Sequence, residues 1–422
     1  MFGLYLHVPY CLAKCHYCDF NSRAPLDGES FDPYVRALCA DVAGQVSRPV
    51  DTLFVGGGTP SILSGSQMTR IMASVQRHFD VVPGAEVTME ANPGTVDQAK
   101  LDECRAAGIN RLSIGVQARQ DHLLRRLGRQ HDWPQCEAAV RQARAAGFEQ
   151  VSLDLMYGLP GQTVADWDES LQACLGLVPD HLSTYSLIVE EHTTFGALAA
   201  QGRLSLPAEE EEEAMAAITQ ARCEAAGLTA YEVSNWARGE AVCRHNLLYW
   251  NNDEYLGLGA GAVSYVDGWR WTRVRRPETY IQRVLGGHDL FESGERVSDW
   301  VSWQETVSLG LRRFDGLDLA GLERHHELPV GCLQATWRAE FAAEEEAGLV
   351  IFDTDRMRLS WEGMRLASHF MVRMMAYCPL SEQPVGPAGR QPTLAGPAPK
   401  QDKGVVTGNL VGSSKEVGSD GT

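Results

Sequence analysis

Three cysteines near the start of the chain carry the clearest chemical signal in the sequence. Cys11, Cys15 and Cys18 have the spacing CxxxCxxC and directly follow a short apolar run. Thiolates this close together can converge on one soft-metal centre, and iron–sulfur clusters are held by cysteine thiolates. Three ligands leave one iron of a [4Fe-4S] cluster open to a small molecule. The alternative is a structural zinc site that His7 or His16 completes.

The elements that would position these cysteines follow a repeating pattern. Up to about residue 190 the chain alternates short β-rich runs with stretches of helical periodicity. Strands are predicted at 3–8, 52–55, 86–91, 111–116, 150–156 and 181–187, and helices at 34–45, 67–79, 96–107, 134–146 and 164–177. Repeated βα units predict an α/β fold with a parallel sheet, and six units suit an incomplete barrel. Its site would lie at the carboxyl ends of the strands.

The pattern changes after residue 200. Five glutamates, 209–213, open a predicted helix that runs to about Ala226, and 228–233 is a further strand candidate. Residues 301–378 have the pattern of helices with one β-like segment, 350–359, which predicts a C-terminal helical, winged-helix-like domain. We therefore expect a barrel domain over 1–235, a connecting region over 236–300 and this domain over 301–378. Residues 379–422 are rich in Pro, Gly and Ser, which predicts a disordered tail.

Composition narrows the class of protein. The chain has 422 residues, 44% of them apolar, and a net charge of −18. An acidic surface disfavours nucleic acid and anionic membranes as general partners, and Glu340 and Glu344 to Glu346 disfavour DNA binding by the winged-helix-like part. We expect neither a transmembrane segment nor a signal peptide. An odd cysteine count of 11 without a secretory signal favours a reducing compartment, so we expect a cytoplasmic protein.

CxxxCxxC in the first βα loop resembles the radical S-adenosylmethionine (SAM) superfamily, in which the open iron of the cluster chelates SAM. Further segments resemble its oxygen-independent coproporphyrinogen III oxidase group, from residue 3 to about residue 377. These segments are Gly56-Gly57-Gly58-Thr59-Pro60, Met89-Glu90-Ala91-Asn92-Pro93, Ser113-Ile114-Gly115-Val116-Gln117, Arg129 and Asp154-Leu155-Met156-Tyr157-Gly158-Leu159-Pro160.

The resemblance implies a [4Fe-4S] cluster on Cys11, Cys15 and Cys18. It also implies a SAM site made of Tyr5, Gly57, Gly58, Thr59, Glu90, Gln117, Arg129 and Asp154, with Ile188 and Val263 at the adenosine. Glycines at a strand end let backbone amides approach a carboxylate or ribose. The two carboxylates could accept hydrogen bonds from the SAM ammonium or ribose, and the guanidinium could pair with the SAM carboxylate.

Two features separate the chain from the oxidases of this group. Those enzymes have a further cysteine two positions after the third, where this chain has Phe20, and an amino-terminal extension that helps to enclose the porphyrinogen. The shorter form resembles the haem-chaperone members of the family, which bind haem and pass it to acceptor proteins. The resemblance therefore implies a haem chaperone, with oxidative decarboxylation of coproporphyrinogen III as the alternative. Haem and haem-accepting apoproteins would be its partners, and a homodimer is left open.

The segment His245-Asn246-Leu247-Leu248-Tyr249-Trp250 has the HNxxYW pattern of the haem-chaperone members. Histidine is a common axial ligand of haem iron, and tyrosine and tryptophan offer flat apolar surface, so His245 is the predicted haem ligand. Residues 269–276 form a basic run whose arginines could meet the haem propionates. The alternative is an exposed edge strand protected by its charge. The arginines are Arg270, Arg273, Arg275 and Arg276.

Overall fold

The computed structural model describes residues 1–376, and six parallel strands form its centre. Each strand lies at one of the six predicted positions. They are β1 (Gly3–Val8), β2 (Pro49–Gly57), β3 (Asp80–Ala91), β4 (Arg111–Gln117), β5 (Gln150–Tyr157) and β6 (His181–Ser186). The second and third strands begin earlier than predicted because Pro49 and Val50 pair with Asp80 and Val81, which extends both strands beyond their apolar cores.

Six helices connect these strands, and the sequence predicts five of them. They are α1 (Asp32–Ala43), α2 (Gly65–His78), α3 (Gln98–Ala106), α4 (Asp121–Leu127), α5 (Trp133–Ala145) and α6 (Val164–Gly176). The unpredicted helix is α4, whose seven residues are too few to show a clear helical period. It ends at Gly128, which adopts the left-handed conformation with φ 78° and leads directly into Arg129.

Local signals explain where several of these helices begin. Helices α2, α5 and α6 each open with a capping box, in which the N-cap side chain and the side chain three residues later each accept a backbone N–H. The pairs are Ser64 with Gln67, Asp132 with Gln135 and Thr163 with Asp166. These starts depend on neighbouring residues only, so they can be recognised from the sequence.

Strands and helices after residue 190 extend the sheet on both sides. They are α7 (Thr194–Ala200), α8 (Glu209–Ala225), β7 (Thr229–Glu232), β8 (Asn235–Ala237), α9 (Arg244–Trp250), β9 (Tyr255–Leu258), β10 (Val263–Val266), β11 (Trp269–Arg273), α10 (Pro277–Leu285) and β12 (Phe291–Arg296). The sheet has the order β12-β11-β10-β9-β1-β2-β3-β4-β5-β6-β8-β7. Because β1 pairs with β9 and β6 with β8, the six parallel strands form an open barrel, as predicted.

The basic run 269–276 is not an edge strand. Most of it forms β11, which pairs with β10 on one side and β12 on the other. The Arg273 side chain is fully buried, forms an ion pair with Asp41 at 3.3 Å and donates its Nε–H to the Gly257 carbonyl at 2.9 Å. A buried, paired guanidinium cannot reach a propionate at the surface, so the proposed role of Arg273 is wrong. Arg270 pairs with Glu305 at 2.5 Å.

The last described elements have a core of their own. They are α11 (Asp299–Gly310), β13 (Leu317–Asp318), α12 (Leu319–His325), α13 (Cys332–Glu340), α14 (Ala342–Glu346), β14 (Val350–Phe352), β15 (Arg356–Leu359), α15 (Trp361–Arg365) and α16 (Ala367–Ala376). The β-like segment 350–359 is a hairpin of β14 and β15, and β13 pairs with β15. Trp303, Trp337 and Phe341 are fully buried in this core.

The core of the barrel includes residues from 256 to 290, so part of the predicted connecting region packs with the barrel. The predicted domain boundaries stay predictions. The predicted tail, 379–422, lies outside the described residues. Among the helices of residues 1–376, none has both the length and the apolar character that crossing a bilayer requires.

Candidate functional site

A solvent-connected cavity of about 310 Å³ lies at the carboxyl ends of the parallel strands. It is lined by many of the predicted residues, which come from six different parts of the chain. These are Cys11, Cys15, Cys18, Gly58, Thr59, Glu90, Gln117, Arg129 and Asp154. Sequence reasoning did not select seven other polar lining residues: Tyr17, Ser22, Asn92, Thr95, Ser113, Gln130 and Tyr185. Asn92 and Ser113 lie inside the segments that resemble the oxidase group, whereas no sequence motif singles out Tyr185.

The three cysteines lie in the loop that follows β1. All three are partly exposed, and none forms a disulfide. Burial raises the pKa of the Cys18 thiol above its ordinary value, so without a bound metal this sulfur keeps its proton at neutral pH. Phe20, which replaces the further cysteine of the oxidases, also lines the cavity and is 64% exposed.

Backbone hydrogen bonds close the cysteine loop, residues 9–23, on itself and tie it to helix α4. The Cys11 N–H donates to the Arg23 carbonyl at 3.0 Å, and the His16 N–H donates to the Leu127 carbonyl at 2.9 Å. The second bond ties the loop to the end of α4, the helix that precedes Arg129. The loop is therefore held in place by the protein itself.

The glycine turn after β2 supports the cysteine loop. The Gly58 N–H donates to the Val8 carbonyl at 2.8 Å, and the Thr59 N–H donates to the Tyr10 carbonyl at 2.7 Å. A Cβ on Gly58 would lie 2.5 Å from the Tyr10 carbonyl oxygen. The Gly57 N–H donates to Glu90 Oε2 at 3.1 Å. All three amides have partners within the chain, so a direct contact of the Gly57 or Gly58 amide with a ligand would require these hydrogen bonds to break, and that contact stays a prediction.

Two carboxylates face the cavity from adjacent parts of the barrel. Burial, and then the charge of Asp154, raises the pKa of Glu90 to about 7. Burial also raises the pKa of Asp154, although hydrogen bonds from Ser183 and Ser113 oppose the shift. The Ser113 hydroxyl lies 3.0 Å from both oxygens of Asp154. Because two half-buried carboxylates resist being ionised together, this end of the barrel favours a cationic ligand group.

The Arg129 guanidinium is held beside the cysteines. Its Nη2–H donates to the Gly115 carbonyl at 2.8 Å, and Nη1 lies 3.7 Å from Cys15 Sγ. Its Nε is buried and has no partner among the described residues. A Cβ on Gly115 would lie 2.5 Å from Nη2, so the glycine makes room for the arginine. Gln117, at the end of β4, has a strained left-handed backbone with φ 69°.

The two histidines of the zinc alternative do not line this cavity. His7 donates its Nε2–H to the Asn21 carbonyl at 2.8 Å, and its Nδ1 accepts from the Tyr5 hydroxyl at 3.0 Å. His16 donates its Nδ1–H to the Arg126 carbonyl at 2.8 Å. Within residues 1–376, no three His, Cys, Asp or Glu side chains, Cys11, Cys15 and Cys18 included, are grouped closely enough for a single metal ion. The geometry gives the zinc alternative no support.

His245 lies at the opposite end of the barrel from the cysteines. It is 1% exposed and contacts the start of β1, since a Cβ on Gly3 would lie 3.1 Å from its ring. Its Nδ1 lies 2.8 Å from the Thr52 hydroxyl and its Nε2 lies 3.0 Å from the Tyr249 hydroxyl. The six residues of β1 separate it from the cysteine loop by about 17 Å. Both ring nitrogens are occupied, so His245 could bind iron only if α9 moved.

Three further predicted residues lie outside the cavity lining. Tyr5 points into the barrel and stacks on Phe54 with ring centroids 6.3 Å apart. Ile188 follows β6 and is 71% exposed. Val263 is half-buried on β10, where it pairs with Thr272. Their roles at a bound SAM stay predictions.

Comparisons with known proteins agree with the fold. Residues 5–174 match the Radical SAM superfamily model. The solved structure of coproporphyrinogen III oxidase (HemN) from Escherichia coli, described as a radical SAM enzyme, superposes with a TM-score of 0.77 at 26% identity. The superposition covers 89% of this chain and 90% of that one. The class is therefore that of the radical SAM proteins, and the predicted barrel is confirmed.

The most informative sequence relatives carry the name heme chaperone HemW. The protein from Bacillus subtilis is 38% identical over 75% of this chain and 85% of its own length. The protein from Mycobacterium tuberculosis is 38% identical over 87% of this chain and 93% of its own length. The chain belongs to the HemW family within the radical SAM superfamily.

Proposed function

We propose that the chain is a haem chaperone with a [4Fe-4S] cluster on Cys11, Cys15 and Cys18 and SAM at the open iron of that cluster. The observation that carries the proposal is the 38% identity with the M. tuberculosis heme chaperone over 93% of its length. Haem is the proposed cargo, and haem-accepting apoproteins are the proposed receivers. The three thiols would bind three irons and leave the fourth for SAM.

The surroundings of the cysteines support this cofactor set. Three thiols share one solvent-connected cavity with two carboxylates and a guanidinium, and the Arg129 Nε has no partner there. A ligand with an ammonium and a carboxylate group, as SAM has, would satisfy these groups. When bound, the cluster would supply an electron to SAM.

Several residues of this chain would each contribute a different contact to bound SAM. Glu90 and Asp154 would accept hydrogen bonds from the ammonium or ribose, and Arg129 would pair with the carboxylate. Gln117 and Thr59 line the same space. Gly57 and Gly58 would act indirectly, because their amides already hold Glu90 and the cysteine loop.

Oxidative decarboxylation of coproporphyrinogen III is the second candidate function. The observation that favours it is the structural match to HemN over nine-tenths of both chains. Phe20, in place of a further cysteine, counts against it. The exposed ring of Phe20 in the cavity offers no sulfur ligand to a metal or a substrate.

One paired assay tests the choice between the two functions. The full chain is reconstituted with iron and sulfide without oxygen, then given reductant, SAM and coproporphyrinogen III, and a parallel sample is titrated with haem. We expect stoichiometric haem uptake and no protoporphyrinogen or carbon dioxide. Turnover without haem uptake would reject the chaperone function. The Cys39→Ser variant, whose half-buried sulfur lies outside the cavity, is the matched control for cysteine replacement.

A further inference from the structure

The side chain of Asn21 joins the end of the cysteine loop to a distant part of the chain. Asn21 is half-buried and lies three residues after Cys18. Its Nδ2 donates to the Ala260 carbonyl at 2.9 Å and to the Arg275 carbonyl at 3.0 Å. Ala260 lies in the turn 259–262, which connects β9 to β10, and Arg275 follows β11. One carboxamide therefore ties the loop to backbone 239 and 254 positions further along the chain.

The backbone of Asn21 is held by β1 as well. His7, on that strand, donates its Nε2–H to the Asn21 carbonyl at 2.8 Å and accepts the Tyr5 hydroxyl at Nδ1 at 3.0 Å. Burial lowers the pKa of His7 below its ordinary value, so the neutral ring carries one proton, and a single tautomer satisfies both contacts. Asn21 is thus fixed by a strand through its carbonyl and by a turn through its carboxamide.

Two glycines let the turn 259–262 come this close to the loop and to β1. Gly261 has φ 78°, and a Cβ there would lie 2.2 Å from the Asn21 Nδ2. Gly259 has φ 105°, and a Cβ there would lie 2.6 Å from the His7 carbonyl oxygen. Glycine adopts such a backbone without steric cost and leaves the space empty. The turn is therefore fitted to the end of the cysteine loop.

A buried ion pair fixes the start of this turn. Arg273 donates its Nε–H to the Gly257 carbonyl at 2.9 Å and pairs with Asp41 at 3.3 Å. The Asp41 Oδ2 also accepts the Tyr280 hydroxyl at 2.8 Å. Arg273 and Asp41 are 0% and 1% exposed at their side chains. Because water cannot compete for these groups, the support beneath the turn is stiff.

The hydroxyl of Tyr34, on α1, links the turn to β1. It accepts the Ala260 N–H at 3.0 Å and donates to the His7 carbonyl at 2.8 Å. Tyr34 is fully buried. The turn, β1 and the end of the cysteine loop are therefore joined into one hydrogen-bonded unit.

The part of the loop that carries Cys18 has few other attachments. Among residues 18–22, Asn21 makes the only hydrogen bonds to described residues outside the cysteine loop. The middle of the loop is attached separately, through the backbone of His16 to Leu127 and Phe195. Loss of the Asn21 carboxamide would remove two of the three hydrogen bonds that hold residues 18–22 to the rest of the protein.

We infer that Asn21 is a positioning residue for the cluster: by fixing the loop to the turn 259–262, it keeps the Cys18 thiol within reach of a cluster held by Cys11 and Cys15. The inference rests on the proposed cluster and deepens it. The contacts that position the third thiol then come from the β9–β11 region, which lies outside the residues 5–174 that match the superfamily model.

The test compares Asn21→Asp and Asn21→Ala with the wild type in the full chain, after anaerobic reconstitution with iron and sulfide. Asn21→Asp keeps the side-chain volume but turns a carboxylate towards two carbonyls. We expect both variants to lose iron to a chelator roughly tenfold faster and to change the electron paramagnetic resonance spectrum of the reduced cluster. In the metal-free chain, the amides of residues 18–22 should exchange hydrogen faster, while the thermal unfolding temperature stays close to that of the wild type.

Asn110→Ala is the matched control. The Asn110 carboxamide also bonds to backbone, with Nδ2 donating to the Ala85 carbonyl at 2.8 Å and Oδ1 accepting the Val87 N–H at 2.8 Å, but it lies outside the cysteine cavity. This variant should retain iron and the spectrum of the wild type.

A second variant reaches the same contact from the turn. The Gly261→Ala methyl group would press on the Asn21 carboxamide, so it should also speed iron loss. In the Asn21→Ala background it should add nothing, because the two changes act on one contact. An equal effect of Gly261→Ala in both backgrounds would contradict the inference.

The outcomes separate the inference from the function on which it rests. If the reconstituted wild type holds no cluster, the proposed function fails and the inference fails with it. If the wild type holds the cluster and Asn21→Asp matches it in iron loss and spectrum, Asn21 is rejected and the proposed function stands. If the Asn21 variants unfold at a much lower temperature and exchange faster throughout the barrel, the role of Asn21 is general stability, and positioning is rejected.

Discussion

The buried polar groups at the two ends of the barrel differ in how fully they are hydrogen-bonded. At the amino end, Glu86 accepts the backbone N–H groups of Arg244 and His245 at 2.9 and 3.0 Å, so it caps α9 from the neighbouring sheet. The His245 ring is also fully paired. At the carboxyl end, Glu90 and Asp154 line one cavity and have raised pKa values, and the Arg129 Nε has no partner among residues 1–376.

This difference separates the buried polar groups that stabilise the folded chain from those that remain available to bind a ligand. A paired buried group stabilises the folded chain, whereas an unpaired or mutually repelling one costs stability until something binds. By this criterion the His245 ring stabilises the fold in this structure, and its role as a haem ligand stays a prediction. The carboxylates and guanidinium beside the cysteines are the candidates for ligand binding.

The largest expected effect comes from removing one sulfur at the carboxyl end. Replacing Cys11, Cys15 or Cys18 by serine should lower iron and sulfide content by roughly tenfold or more after anaerobic reconstitution, because each thiolate would hold one iron. Thermal unfolding of the metal-free chain should change little, since these side chains are partly exposed. Cluster content in a triple serine variant equal to that of Cys39→Ser would contradict the ligand assignment.

A mutation at the amino end of the barrel should have the opposite effect, lowering stability without lowering cluster content. Glu86→Ala removes the acceptor of two backbone N–H groups at the start of α9 and should lower the free energy of unfolding by about 1–3 kcal/mol. Cluster content should be unaffected. Urea unfolding of the metal-free chain measures the effect, with the exposed Glu149→Ala as control. A loss of cluster without a loss of stability would break the comparison between the two ends.

The burial of Glu90, and then the charge of Asp154, predicts that removing the Glu90 charge stabilises the chain in a pH-dependent way. The pKa of Glu90 is about 7 in the folded chain against an ordinary 4.5, so the folded state holds this proton more tightly and loses stability as pH rises from 4.5 towards 7. Glu90→Gln stays neutral. It should stabilise the metal-free chain by roughly 1–3 kcal/mol at pH 8 and by almost nothing at pH 4.5, while SAM affinity falls. Equal free energies of unfolding of Glu90→Gln and the wild type at pH 8 would show that the ionised Glu90 carboxylate does not destabilise the folded chain.

The smallest effect is expected from the glycine that makes room for the guanidinium. The Gly115→Ala methyl group would displace the flexible end of Arg129 by contact with Nη2, so the chain should fold with little change in stability. SAM affinity should fall by several-fold, because the guanidinium moves away from its carboxylate partner. Equilibrium dialysis with SAM measures this, and Gly176→Ala, a glycine with open space around it, is the control. Equal SAM affinities of Gly115→Ala and Gly176→Ala would show that Gly115 does not help to position Arg129 for SAM.

Local sequence determined the barrel and most of its cofactor end. The six strands, five of the helices between them and the cysteine spacing depend on residues that are close in the chain, so periodicity, capping residues and motifs reveal them. The positions of Glu90, Gln117 and Asp154 at strand ends follow from the same pattern, because parallel strands bring their carboxyl ends to one edge.

Only the tertiary structure decided what the distant pairings are. The burial of Arg273 on Asp41, the use of the Gly57 amide by Glu90 and the enclosure of His245 each join residues more than thirty positions apart. No periodicity or motif encodes such pairs, because they depend on which strands become neighbours. The same holds for the cavity of about 840 Å³ between α9 and helices α11 and α12, whose walls meet only when the C-terminal elements pack beside α9. A histidine motif in a sequence does not show whether its nitrogens are free, since that depends on the groups the fold places around it.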